Sequence, residues 1–224
     1  MPVYATAPPT AATLHYRLQR VVQGGVRTGA ARIDWAPTPE GYMLSLAAEG
    51  GLLAGLGAAS RGHFDAAGLA PERFVDRRRG RDVQATNFQR ASGRVGHSGT
   101  PVSAELQPGT QDALSWLLQL PAVLQANAAL AQPGAQVLMW VAAGRRAPQV
   151  WAFAVTGPAS VALADGAAVP SLHLQRRAEL PYDLQIDVWL DPARHHLPLR
   201  VRLAIPPGPW FSELLLTGPD GATP

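Results

Sequence analysis

GTQDALSWLLQLPAVLQ, residues 109–125, decides the fold. Thr110 is placed to cap a first turn, Asp112 sits where the helix dipole favours an anion, and apolar side chains follow at helical spacing. Leu114, Trp116, Leu117, Leu118, Leu120 and Leu124 leave a narrow polar stripe of Gln111, Ser115 and Gln119. The pattern predicts a helix over 110–131, kinked or restarted at Pro121, which has no N–H to give the carbonyl of Leu117. A helix that apolar around its circumference needs cover on several sides.

The cover is read on either side of it. Residues 14–22 set Leu14, Tyr16 and Leu18 against His15, Arg17 and Gln19, the period-two pattern of a half-buried strand. Gly24 and Gly25 supply a turn, and 26–35 and 42–49 repeat the pattern around Pro37, Pro39 and Gly41, as in an antiparallel meander. Further strands are expected at 60–65, 73–79, 83–90 and 94–98. Beyond Pro133 and Gly134 they resume at 136–143, 150–156, 160–163, 171–177, 184–190, 197–205 and 212–217. One helix among so many strands excludes a doubly wound parallel sheet, which needs several crossover helices. The fold class expected is mainly β, an antiparallel barrel-like or strongly curved sheet wrapping one long helix. A single β-rich domain over 13–218 is expected, after a Pro/Ala/Thr-rich linker at 1–12 and before a short tail at 219–224.

Composition removes whole classes of chemistry. No lysine occurs, so all 19 basic residues are arginine. Walker-type phosphate loops, kinase lysines, pyridoxal Schiff bases and Ser-x-x-Lys acylases are thereby excluded. With 0 cysteines there is no disulfide, zinc-thiolate site or thiol nucleophile. The formal charge of +3 is too small, and aromatic residues too few among the arginines, for a nucleic-acid partner. One basic cluster, Arg77, Arg78, Arg79 and Arg81 with Arg73 nearby, reads as a solvated hairpin end or an anion site. No segment has the apolar length of a bilayer span. The start lacks a basic, apolar leader, as though a leader or anchor upstream had been removed.

Catalytic signatures are sought with little return. There is no Gly-x-Ser-x-Gly elbow, and His97 and Ser98 are strand neighbours that point to opposite faces. Gly55-Leu56-Gly57-Ala58-Ala59-Ser60 faintly resembles a dinucleotide fingerprint, but a strand follows it where a helix should. His15, His63, His97, His173, His195 and His196 show no metal-ligand spacing, and neither a cofactor nor a metal is expected. Asp34, Glu49, Asp112, Glu179, Asp183, Asp187 and Glu213 are candidate acids, and Asp187 is placed to meet Arg200 or Arg202 across a hairpin. Trp35, Trp116, Trp140, Trp151 and Trp189 are read either as core or as the lining of a barrel that holds a lipid or glycan.

Three segments carry a resemblance: Gly68-Leu69-Ala70-Pro71-Glu72-Arg73-Phe74, Gln111-Asp112-Ala113-Leu114-Ser115-Trp116, and Val188-Trp189-Leu190-Asp191-Pro192 followed by His196-Leu197-Pro198-Leu199-Arg200. With LHYRLQR at 14–20, their order and spacing are similar to domain-of-unknown-function family 3108 of bacterial envelope proteins, over about 14–216. The resemblance implies export to the periplasm, free or on an inner-membrane anchor, and a barrel-like fold around its helix. It supplies no catalytic residue. The function expected is a non-enzymatic envelope domain that binds a lipid-like molecule, a glycan or a protein partner. Trp116, Gln111, Trp189 and Arg200 are the candidate ligand-binding residues. A hydrolase with dispersed carboxylates and an assembly protein acting by strand addition are the alternatives.

Overall fold

The protein is described here by a computed structural model, covering residues 1–22, 25–50, 53–100, 103–218 and 222–223, with 22 and 222–223 described by backbone alone. Gly24 of the expected first turn and most of the expected tail lie outside the described residues.

A first meander runs through β1 (Ala12–Val22), β2 (Gly25–Thr38), β3 (Gly41–Glu49), β4 (Gly57–Asp65), β5 (Gly68–Arg78), β6 (Arg81–Gln89), β7 (Arg94–His97) and β8 (Ser103–Glu105). A short strand β9 (Gln111–Asp112) and the helix α1 (Trp116–Ala126) follow. The second meander is β10 (Gln136–Ala142), β11 (Gln149–Ala162), β12 (Ala168–Arg176), β13 (Gln185–Asp191), β14 (Leu197–Ala204) and β15 (Phe211–Leu216), with β16 (Ala222–Thr223) beside β1. The meanders join where β15 pairs antiparallel with β1, Tyr16 opposite Leu216. The result is one curved sheet of 16 strands that does not close, with β8 at one end and β9 at the other. Its pairings are antiparallel except for β9, which lies parallel to Val141 and Ala142 of β10.

Period-two alternation sets the inner face, as the sequence predicted. Leu14 and Tyr16 of β1, Ile33 and Trp35 of β2, Leu44 of β3, and Ile186, Val188 and Leu190 of β13 are buried in one continuous core around α1. Trp116 stacks on Phe153 at 5.3 Å between ring centroids and meets Trp151 edge-on at 5.9 Å.

The helix is shorter than expected. It starts at Trp116, after a turn at 112–115 closed by reciprocal bonds between side chain and backbone, as in a capping box. Asp112 Oδ1 accepts the N–H groups of Leu114 and Ser115 at 2.8 and 2.7 Å, and Ser115 Oγ accepts the N–H of Asp112 at 2.9 Å. Thr110 does not cap the helix; its hydroxyl donates to the Gln107 carbonyl at 2.6 Å. The helix passes through Pro121 as one element and ends at Ala126, with a separate 3-10 turn at Ala128–Ala131. The strands expected at 150–156 and 160–163 are a single strand, β11. Its register shifts between Val155 and Gly157, and Gly157 (φ +126°) takes up the bulge. Strands β8 and β9 carry too few residues for a periodic signal.

The polar stripe faces the backbone of β5. Gln119 donates to the Ala67 carbonyl at 2.7 Å and accepts the Leu69 N–H at 2.9 Å, while Gln111 donates to the Leu69 carbonyl at 2.7 Å. Gly68 (φ +97°) is required there, since a Cβ on it would stand 2.6 Å from Gln119 Oε1. Asp112, fully buried, accepts from the Ser60 hydroxyl at 2.5 Å, and Ser60 lies 3.2 Å from the Tyr42 hydroxyl. Burial pushes the Asp112 carboxyl above the ordinary carboxylate range, against the pull of its hydrogen bonds. Burial likewise raises the phenols of Tyr16 and Tyr42.

The first eleven residues hold no regular structure but are bonded to the helix end of the barrel. Ala7 N–H donates to the Ala122 carbonyl at 2.9 Å, and Trp35 Nε1 donates to the Pro9 carbonyl at 2.9 Å. Among the described residues no helix is long and apolar enough to cross a membrane.

Two outcomes are expected. Leu118→Ala, at a site of 0% exposure, costs about 2–5 kcal/mol in urea unfolding, whereas Leu180→Ala, 72% exposed, stays within about 0.5 kcal/mol of wild type. Because the folded chain holds the Asp112 proton to higher pH than the unfolded chain, the wild type loses stability relative to Asp112→Asn as pH rises above about 3.8. The loss continues up to the raised folded pKa and then levels off. Urea unfolding of both proteins from pH 4 to 8 measures this, and a pH-independent difference would mean that burial does not raise the Asp112 carboxyl above its range in the unfolded chain.

Candidate functional site

The inner face is filled at one end of the barrel and hollow at the other. At the helix end the inward positions carry Leu14, Tyr16, Ile33, Trp35, Tyr42 and Leu44. One or two inward positions further along the same strands the side chains shrink to Ala31 and Ala48, beside Leu18 and Leu46, and Leu56 just before β4 and Ala58 at its start lie next to them. Alanine cannot fill a barrel of this girth, and a cavity of about 370 Å³ remains, open to solvent on one side. Val201, Leu203 and Leu214 of β14 and β15 complete its apolar wall.

Charge appears only at the mouth, where Arg20, Asp76, Arg77 and Arg78 stand. The hairpin joining β5 to β6 turns at Arg79 and Gly80, and Gly80 N–H donates to the carbonyl of Gly55 at 3.3 Å, beside Leu56 of the cavity wall. The basic cluster legible in the sequence therefore forms part of the rim.

The four residues singled out from the sequence fall into two other places, and none lines the cavity. Trp116 and Gln111 belong to the plug at the helix end. Trp189 and Arg200 lie on the outer face, with the guanidinium 4.6 Å from the indole centroid and bound to Glu213 Oε2 at 2.6 and 3.0 Å. His173 stacks on Trp189 at 4.4 Å and meets Asp187 at 3.1 Å. Asp187 also accepts from Gln175 and Gln185 at 2.9 and 3.2 Å, so the ion pair expected with Arg200 or Arg202 is replaced by these bonds. Although burial opposes it, the bonds from His173, Gln185 and Gln175 hold the Asp187 carboxyl below the ordinary range. Arg202 instead covers the ring of Phe211 at 4.4 Å.

Sequence reasoning missed the cavity wall because it sought aromatic residues. The available signal was small side chains at inward positions of long strands: Ala31, Ala48 and Ala58.

The bonds recorded for Asp112, the acid pushed upward, all run to hydroxyls and backbone amides. Among the described residues no group of three His, Asp or Glu side chains is placed to hold a metal ion. A hollow of about 350 Å³ on the outer face, between Met43, Arg61 and Arg73, is shallower in chemistry, since Arg73 is bonded to Asn87 at 2.7 Å.

Comparison with known proteins places the fold. A β-barrel-like protein of family DUF1849 from Brucella abortus is similar at 15% identity and a TM-score of 0.55, over 94% of this chain and 97% of that one. MucB is 13% identical, with a TM-score of 0.38 over 99% of this chain and 55% of that one. A domain from Vibrio parahaemolyticus described as an outer membrane lipoprotein-sorting protein is 10% identical, with a TM-score of 0.31 over 96% of this chain and 85% of that one. The last two likenesses are too distant to carry an argument. No curated protein matches the chain. Residues 12–215 match the family described as "Protein of unknown function (DUF3108)", with the barrel-like fold that the resemblance implied, and the chain belongs to that family.

Proposed function

We propose that this protein is a non-enzymatic binding domain of the bacterial envelope, acting in the periplasm, and that the hollow end of its barrel holds a lipid-like chain. The cavity carries the reading: about 370 Å³ walled by Leu, Val and Ala, within the roughly 300–1,000 Å³ usual for small-molecule sites. Its volume suits one apolar chain. A glycan finds few hydroxyl partners on this wall, and the sealed surroundings of Asp112 offer no acid to a hydrolase. Strand addition has one supporting observation, the unclosed sheet, yet the end strands β8 and β9 are only 3 and 2 residues long.

Placing an apolar chain here removes methylenes from water at about 0.8 kcal/mol each, so affinity rises about fourfold per methylene until the cavity is full. Displacement of the neutral fluorophore N-phenyl-1-naphthylamine by hexanol, octanol and decanol measures this series. In Ala58→Trp the indole occupies the cavity, and fluorophore affinity falls by about tenfold or more while the melting temperature holds or rises. Absence of binding to the wild type, or unchanged binding to Ala58→Trp, would overturn the reading.

A further inference from the structure

We propose that the mouth of the cavity recognises an anionic head group, so that the ligand is a single-chain amphiphile ending in a phosphate or carboxylate. This rests on the apolar-chain reading above and names the chemistry at the other end of the ligand.

The rim assembles cations from distant parts of the chain. Arg20 lies on the inner face of β1, two residues past Leu18, and its cross-strand partner on β2 is Arg27. Opposed residues of an antiparallel pair project to the same face, and like charges in that relation are destabilising. Neither arginine has an ion pair among the described residues, and the buried Nε of Arg20 has no hydrogen-bond partner. The only ring near the Arg20 guanidinium among the described contacts is Trp210, at 5.7 Å.

Arg77 and Arg78, at the end of β5, also line the mouth, and Arg79 and Arg81 follow in the hairpin. Two carboxylates answer them, Asp82 to Arg77 at 3.0 Å and Asp76 to Arg78 at 3.5 Å. Six guanidiniums against two carboxylates leave the rim strongly positive.

An apolar cavity with a cationic lip is complementary to an apolar tail with an anionic head. The guanidinium fork bonds phosphate and carboxylate oxygens in pairs. Next to a low-dielectric wall such bonds are stronger than in open water. An anion between Arg20 and Arg27 would relieve their repulsion and supply the missing partner of the Arg20 Nε–H.

The test is calorimetric titration of the whole chain with dodecyl phosphate, dodecylphosphocholine and inorganic phosphate, the amphiphiles kept below their micelle concentrations. Wild type is expected to bind dodecyl phosphate about tenfold or more tighter than dodecylphosphocholine, and inorganic phosphate far more weakly than either. Arg20→Gln with Arg27→Gln removes the gap between the amphiphiles and holds or raises the melting temperature. Arg79→Gln with Arg81→Gln, at exposed positions in and beside the turn, narrows the gap independently should the first pair fold poorly.

Equal affinity for the two amphiphiles in the wild type, or a gap that both double variants leave intact, would overturn the head-group inference while the cavity reading stands. Inorganic phosphate bound as tightly as dodecyl phosphate would also overturn it, in favour of a site for a free anion. Failure of both amphiphiles to bind would overturn the cavity reading itself.

Discussion

An unclosed sheet around an apolar helix has one problem to solve: backbone groups inside the barrel that no strand reaches must still be hydrogen-bonded. Two glutamines solve it at Leu69. Its N–H donates to Gln119 and its carbonyl accepts from Gln111, so that two side-chain amides stand in for a neighbouring strand. An unpaired buried amide costs about 1–3 kcal/mol, and these bonds meet that cost at the centre of the fold. They also fix how deep the helix sits, because Gln119 is anchored a second time on the Ala67 carbonyl. Where the sheet ends approach each other, side chains again substitute for strands: Gln84 donates to the Gly144 carbonyl at 2.6 Å, and His97 Nε2 lies 2.9 Å from the Arg146 carbonyl.

That anchoring divides the barrel into two halves. Helix, aromatic stack and the strap of residues 4–9 all gather at one end, where the inner face carries large side chains. At the other end no aromatic ring is among the lining residues, and alanines at 31, 48 and 58 stand among the leucines. A cavity of about 370 Å³ is the geometric consequence of plugging a barrel from one side. The polar clamp thus positions the candidate site without touching it.

The fold was legible because both of its periods were strong. Alternation in residues 14–20 placed Leu14, Tyr16 and Leu18 inside, and the leucine-rich run at 114–124 announced the buried helix. The helix start was not legible, since Thr110 and Asp112 satisfy capping rules equally well in a turn that precedes a helix by several residues. Trp189 and Arg200 drew attention by residue type, yet strand parity with the buried Val188 and Leu190 puts Trp189 outside, and it could have been applied. The cavity escaped for a different reason: it is made of missing volume, marked only by small side chains such as Ala31, Ala48 and Ala58 at inward positions. Of the rim, the cluster at 77–81 was legible, while Arg20 and Arg27 escaped because they become neighbours only when β1 and β2 take their register.

Arginine without lysine reads at first as a compositional bias, but the structure distributes it unevenly. In the second meander the guanidiniums are held: on the outer face Arg200 by Glu213 and Trp189 and Arg202 by Phe211, and on the buried face of β12 Arg176 by Asp183 at 2.9 Å and by the ring of Trp151 at 4.9 Å. There, planar cations serve as mortar between strands, packing as much as pairing. The same residue type at the cavity mouth is arranged otherwise, with Arg20 opposite Arg27 and three arginines in succession at 77–79. A bias in composition would scatter charge without regard to partners, and folding alone would not favour a cross-strand pair of like sign. The rim is therefore the part of the surface where packing gives the weakest account of the residues present, and its Arg20, Arg77 and Arg78 border the apolar cavity.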